Sequence, residues 1–179
     1  RHDDFSFMEP SRATTPNLDK LAAKGFVFNN AYVTTSICAV SRASILTGMY
    51  ARRHGIYGFR KNIPDDLWEV SYPKMFKKNG FRTGFIGKYG VKIWVPPDQR
   101  NHPVDDFDYW FVPGPGQKRF LKDEKGRNVH YTRMLQMKAI EFLNDFKDEP
   151  FCLSISFLAA HGSLDPNPIY ADMFLDETV

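Results

Sequence analysis

The sequence of 179 residues has only two cysteines, Cys38 and Cys152, and it has no long apolar run. Two cysteines are too few for a disulfide framework or a four-cysteine zinc site, although they leave room for a single bridge. No apolar stretch approaches the roughly 20 residues of a membrane-spanning helix, and the first residues lack the basic and apolar regions of a signal peptide. The sequence therefore predicts no membrane span.

The chain also has no large excess of basic or acidic residues. The 24 basic and 21 acidic residues are spread along the chain and give a net charge of +3. Without a basic stripe, the sequence does not predict a nucleic-acid or membrane surface. Hydrophobic residues make up 42% of the chain, which is enough for the core of one globular domain.

Proline and glycine mark the ends of several predicted helices. In TTPNLDKLAAKG, Thr15 stands at the N-cap and Pro16 at the first helical position, with a glycine as the stop. SYPKMFKKNG has the same order of proline and glycine, and SRASILTG predicts a helical turn or two closed by Gly48. An amphipathic helix is expected from Thr132 to about Phe146.

Short apolar segments predict the strands. FVFNNAYV (26–33) alternates as a strand does, whereas RTGFIG (82–87) and PFCLSISFLAAH (150–161) are continuous apolar runs typical of buried strands. RFLKDEKGRNVHY predicts a hairpin that turns at residues 125–126. Residues 89–118 are rich in Pro, Gly and aromatic residues without a period, which predicts an ordered irregular loop.

Helices that alternate with fully apolar strands predict an α/β fold, with a mainly parallel sheet flanked by helices on both faces. In such sheets the binding and catalytic residues lie at the carboxyl ends of the strands. Cys38, Lys88 and His161 each lie just past a predicted strand. The pattern therefore places these three side chains at one edge of the sheet.

Cys38 stands at the start of a predicted helix, four residues before Arg42. The helix dipole and the guanidinium would both favour a thiolate at this position. The alternative from composition alone is a small buried core cysteine, because free cysteine is among the most buried residue types.

The wider string favours the reactive interpretation. TPNLDKLAAKGFVFNNAYVTTSICAVSRASILTG contains the pattern C-x-x-S-R-x-x-x-L-T-G and is followed, in order, by GFRTGFIGKYG and PFCLSISFLAAH. Together these segments closely resemble the N-terminal portion of the type I sulfatases, the formylglycine-dependent members of the alkaline phosphatase superfamily. The resemblance covers nearly the whole chain, and it implies that residues 1–179 are the N-terminal part of a single sulfatase catalytic domain whose C-terminal part is absent.

The resemblance implies a role for each matching residue. Cys38 would be oxidised to formylglycine by a formylglycine-generating or equivalent maturation enzyme, and one hydroxyl of the hydrated aldehyde would attack the sulfur of a sulfate ester. Arg42 would hold the diol and the developing charge. Lys88 would bind a sulfate oxygen, and His161 would bind sulfate or assist the leaving group.

The same resemblance implies a divalent cation, Ca²⁺ ahead of Mg²⁺. Asp3 and Asp4 match the paired aspartates that ligate it, and the modified Cys38 would contact it through the nucleophilic oxygen. Taken without the resemblance, Asp3 and Asp4 are better interpreted as a solvated acidic pair. The family's remaining metal ligands would lie beyond Val179.

The sequence departs from the family pattern at two positions. Val40 stands where the pattern has Pro or Ala, and Gly90 stands where it has His. These departures leave open a non-catalytic sulfatase-like fragment or binding protein. A second alternative is a phosphodiesterase or phosphonate monoester hydrolase of the same superfamily, which shares the nucleophile and the metal.

The resemblance also implies a partner and a location. The expected substrate is a sulfated small molecule or glycan, and the expected reaction is hydrolysis of its sulfate ester. A periplasmic or extracellular bacterial location is expected ahead of a lysosomal one, because the sequence has no Asn-x-Ser/Thr glycosylation acceptor.

Overall fold

The computed structural model describes residues 4–8, 13–92, 98, 103–114, 118–162 and 165–173. The chain divides into two compact units, residues 1–33 and residues 34–179. None of the helices in the described part combines the length and the hydropathy that crossing a bilayer requires.

The first unit contains helix α1 (Pro16–Ala22), which begins directly after Thr15 and confirms the predicted helix. The predicted strand over 26–33 is wrong, because these residues have no strand conformation and Phe26 and Phe28 are 93% and 82% exposed. A strand needs a neighbour to pair its N–H and C=O groups. The alternating pattern identifies an apolar face but cannot supply that neighbour.

The second unit holds the remaining helices and the strands. Its helices are α2 (Cys38–Thr47), α3 (Ala51–His54), α4 (Asp65–Trp68), α5 (Tyr72–Lys78) and α6 (Tyr131–Phe146). Its strands are β1 (Arg82–Gly87), β2 (Tyr109–Phe111), β3 (Phe120–Lys122), β4 (Asn128–His130) and β5 (Phe151–Ser156). Helices α2, α5 and α6 confirm the predicted helices, whereas α3 and α4 were not predicted.

A three-stranded sheet in the order β2-β1-β5 forms the centre of this unit, and both of its pairings are parallel. This confirms the predicted parallel α/β arrangement. Strands β3 and β4 form the predicted antiparallel hairpin, with Gly126 in the left-handed region at φ 74°. Strand β2 and a 3-10 helix at Val104–Asp106 interrupt the segment that was predicted as an irregular loop. Strand β5 ends at Ser156, five residues earlier than predicted.

The two faces of the sheet pack against different cores because successive strand residues point to opposite sides. Phe85 belongs to a cluster that includes residues of α2 and α4. Its neighbour Ile86 belongs to a second cluster built mainly from α6, including Leu135 and Phe142. The central strand is therefore covered on both faces, as the sequence predicts.

Gly84, in the middle of β1, lets α6 approach the sheet closely. A Cβ at this position would lie 2.7 Å from Phe142 Cε2 and 2.8 Å from Leu153 Cδ1. We expect Gly84→Ala to lower the free energy of unfolding by about 1–3 kcal/mol, since overpacking forces neighbours to shift. Urea unfolding followed by circular dichroism measures this loss.

Gly58→Ala is the matched control, because a Cβ at Gly58 would meet nothing within 4 Å. Its free energy of unfolding should stay within about 0.5 kcal/mol of the parent chain. Equal losses for the two variants would contradict the packing explanation.

Candidate active site

Cys38 is the first residue of α2, where the backbone N–H groups of a helix start without intrahelical partners. The preceding Ile37 has extended geometry and no capping side chain. The thiol is half-buried, which differs from the fully buried core cysteine of the alternative interpretation. Cys152 is also free, so the two cysteines do not form the bridge that the sequence left open.

Arg42 lies one helical turn after Cys38, on the same side of α2. Its Nη1 donates to the carbonyl oxygen of Lys88 at 2.8 Å and also to Ser156 Oγ. Ser156 Oγ donates to the same Lys88 oxygen at 2.8 Å. Burial lowers the pKa of Arg42, whereas the negative charges that Cys38 and Tyr131 can carry raise it. The guanidinium is thus fixed to the carboxyl ends of two strands, unlike that of an ordinary surface arginine.

Lys88 follows β1 directly, as the sequence predicts. Its backbone N–H donates to Ser156 O at 2.8 Å, so the segment is fastened to the end of β5. The next residue, Tyr89, is buried with its ring centroid 5.7 Å from that of Phe85. These contacts hold the backbone of Lys88 from both sides.

Three cations and one thiol converge at this edge of the sheet. Burial lowers the pKa of Lys88, the negative charge that Cys38 can carry raises it, and the positive charges of Arg42 and Arg119 lower it. Arg42 is bound by neutral oxygen acceptors rather than by a carboxylate. Such a concentration of positive charge beside a helix N-terminus attracts an anion.

Arg119 was not predicted from the sequence. It lies just before β3, and its Nη2 donates to the carbonyl oxygens of His161, at 2.9 Å, and of Gly162. Its Nε is 4.0 Å from Asp165 Oδ2. No local sequence motif predicts the position of this arginine. Its contacts with His161 and Gly162 form only when the hairpin packs in the folded chain.

His161 lies five residues past the end of β5, and its side chain is exposed. It lines a cavity of about 590 Å³ together with Arg119, Tyr131, Leu158 and Tyr170. Its backbone N–H donates to Leu158 O at 3.0 Å. The structure therefore connects His161 with Arg119, and its chemical role stays a prediction.

Of the three predicted metal ligands, Asp3 and Asp4 belong to the first unit and Cys38 belongs to the second. Asp3 lies outside the described residues, and Asp4 is exposed. Within the ranges that the structure describes, no three His, Cys, Asp or Glu side chains come together as a cation site would require. The described residues alone therefore do not form the predicted divalent cation site.

His54 is a buried histidine for which the sequence suggests no role. Its Nδ1 accepts from the Ile56 N–H at 3.1 Å, so the proton of the neutral ring is on Nε2, which donates to Ser44 Oγ at 3.0 Å. The imidazole thus joins the end of α3 to α2.

A sequence-family model described as Sulfatase matches residues 1–178. The chain belongs to the sulfatase family. It is 31% identical over 204 residues to an arylsulfatase of Clostridium perfringens (strain 13 / Type A), covering 91% of this chain and 41% of the relative. It is 32% identical over 163 residues to the N-sulphoglucosamine sulphohydrolase of Homo sapiens, covering 89% and 30%. The chain thus spans less than half the length of these curated relatives.

Solved structures show the same fold. The putative sulfatase yidJ from Bacteroides fragilis superposes with a TM-score of 0.80 at 22% identity, covering 98% of this chain and 45% of that one. A structure in complex with its substrate D-glucosamine-2-N,6-O-disulfate superposes with a TM-score of 0.78 at 25% identity, covering 99% and 36%. The arrangement of strands and helices is therefore that of the sulfatases, which are alkaline phosphatase-like α/β proteins.

The environment of His54 predicts a dependence of stability on pH. Burial lowers the pKa of His54 below its ordinary value of 6.5. As the pH falls below 6.5, the unfolded chain therefore takes up a proton before the folded chain does. This contribution to stability is complete above that pH and is lost progressively below it.

His54→Asn tests this expectation, because Asn Oδ1 can replace Nδ1 as the acceptor and does not titrate. The free energy of unfolding of the variant should fall less steeply with decreasing pH than that of the parent, as measured by urea unfolding at a series of pH values from 8 down to about 5. Identical slopes would show that His54 is not the responsible group.

Proposed function

We propose that this chain is the N-terminal part of a sulfatase catalytic domain that hydrolyses sulfate esters, with its reaction centre at Cys38. The observation that carries the proposal is that Arg42, one helical turn after Cys38, donates to Lys88 O and Ser156 Oγ at the carboxyl ends of the parallel strands. A sulfate ester is an anion whose hydrolysis places more charge on oxygen, and a guanidinium stabilises such charge.

Each side chain has a proposed role. The ammonium of Lys88 neutralises one sulfate oxygen. Arg42 uses only Nη1 for its bonds to the strand ends, so Nη2 and Nε can donate to the anion or to the nucleophile. The exposed imidazole of His161 is the candidate donor of a proton to the departing alcohol.

Cys38 is the proposed position of the formylglycine, made by a maturation enzyme. That group would supply a hydrated aldehyde whose hydroxyl attacks the ester sulfur. The first turn of α2 and the neighbouring guanidinium would favour the deprotonated form of that hydroxyl. A divalent cation, Ca²⁺ or Mg²⁺, belongs to the proposal with Asp3 and Asp4 as this chain's candidate ligands.

The proposed substrate class is a sulfated carbohydrate. It is supported by the glucosamine disulfate bound in one similar structure and by the relative named N-sulphoglucosamine sulphohydrolase. A location outside the cytoplasm is supported by relatives named as extracellular sulfatases in Caenorhabditis elegans and Drosophila melanogaster.

The reaction centre is tested by replacing Cys38 in the full-length product of the gene that encodes this chain. We expect the parent to release sulfate from an aryl sulfate and Cys38→Ala to release none above background, because the nucleophile is lost. Mass spectrometry of the peptide that contains residue 38 should show the aldehyde in the parent. Cys152→Ala is the matched control and should retain turnover.

An unmodified thiol in an inactive parent would contradict the proposal. Faster turnover of an aryl phosphate than of the aryl sulfate would instead assign the chain to a phosphoester hydrolase of the same superfamily.

The role of Arg42 is tested by Arg42→Lys. Lysine keeps the charge but loses the planar fork that bonds the strand ends and the anion together. We expect kcat/KM for sulfate release to fall on the order of 10²- to 10³-fold. Arg52→Lys is the control, because Arg52 is exposed on α3, and it should leave kcat/KM unchanged. Equal kinetics for the two variants would remove Arg42 from the mechanism.

A further inference from the structure

Gly90 lies against the side chain of Arg42. It is buried and has a left-handed backbone with φ 73°. A Cβ built on it would lie 2.7 Å from Arg42 Cδ and 3.0 Å from Arg42 Nε. Real Cβ atoms essentially never approach a neighbour as closely as 2.7 Å. The stem of Arg42 therefore occupies the space that a side chain at position 90 would take.

Arg42 cannot easily give way. Its backbone belongs to α2, and its Nη1 is held by Lys88 O and Ser156 Oγ. The atom that meets the added carbon is Cδ, between these two fixed ends. A displacement of Cδ must therefore move the guanidinium or break its hydrogen bonds.

We propose that Gly90 is a positioning residue for Arg42: with the left-handed backbone that this chain has at position 90, the stem of Arg42 lies where a Cβ would stand. The effect on turnover rests on the proposed sulfatase function, whereas the contact itself does not. The family pattern has both this arginine and a His at the position of Gly90, so the contact described here is tied to the left-handed backbone that position 90 has in this chain.

The contact is tested by a double-mutant cycle that needs no activity. Gly126 has φ 74°, and a Cβ there would meet nothing within 4 Å. Gly90→Ala and Gly126→Ala therefore impose similar backbone strain, and only the first collides with Arg42. We expect Gly90→Ala to lower the urea midpoint more than Gly126→Ala does. In an Arg42→Ala background, the two glycine substitutions should produce equal shifts. An excess shift that persists without Arg42 would overturn the contact.

The positioning role is tested with the full-length protein and an aryl sulfate. Gly90→Ala should lower kcat/KM on the order of 10²-fold, because a misplacement of about 1 Å has that effect. Gly126→Ala should stay within about twofold of the parent. In the Arg42→Ala background, Gly90→Ala should cause no further loss.

Two outcomes separate this inference from the proposed function. If Gly90→Ala retains full kcat/KM while the stability cycle shows the collision, the positioning role is wrong. If the parent protein releases no sulfate, the proposed function fails, and the stability cycle still decides whether Gly90 places Arg42.

Discussion

The carbonyl oxygen of Lys88 is the point on which the candidate active site depends. It accepts from Arg42 Nη1 and from Ser156 Oγ, and thereby joins α2, the end of β1 and the end of β5. The backbone N–H of the same residue donates to Ser156 O. One residue thus uses both of its backbone groups to join the strand ends to α2. The backbone from which the Lys88 side chain extends is therefore fixed on both sides.

The backbone of Lys88 is held in place by the sheet from which it extends, at the ends of β1 and β5. Gly87 has φ 103°, and a Cβ there would lie only 2.2 Å from Ser156 O, so the two strands approach closely where the site begins. Tyr89 then packs into the aromatic core on one face of the sheet, whereas α6 fills the other face. Gly87 and Gly90 therefore flank Lys88 for different reasons. Gly87 permits the close approach of β1 to Ser156 of β5, and Gly90 lies against the side chain of Arg42.

Local signals in the sequence predicted the local features of this fold. Pro16 and Gly48 mark a helix start and a helix end that the structure confirms. The predicted strand at 26–33 failed because strand formation depends on a partner that no local pattern specifies. Strand β2 was missed for the same reason, since its three residues become a strand only by pairing with β1.

The residues of the candidate site also fall into those that local patterns predict and those that depend on tertiary packing. The spacing of four residues between Cys38 and Arg42 predicts one helix face, and Lys88 directly after an apolar strand predicts a strand end. Both positions are confirmed. Arg119 could not be predicted, because the hairpin that carries it is positioned by tertiary packing. The departure at Gly90 is visible in the sequence, whereas its contact with the stem of Arg42 is visible only in the structure.

A cluster of cations normally repels itself, and the structure shows how this one is held together. Arg42 is fixed by neutral oxygens, and burial together with Arg119 and Arg42 lowers the pKa of Lys88. Arg42 is held by hydrogen bonds to the strand ends, whereas Arg119 is held by the carbonyl oxygens of His161 and Gly162 and lies 4.0 Å from Asp165 Oδ2. A bound anion would relieve the repulsion that the folded chain tolerates, so stability and anion binding are coupled at this site. The concentration of positive charge favours an anion over a neutral ligand at this edge of the sheet.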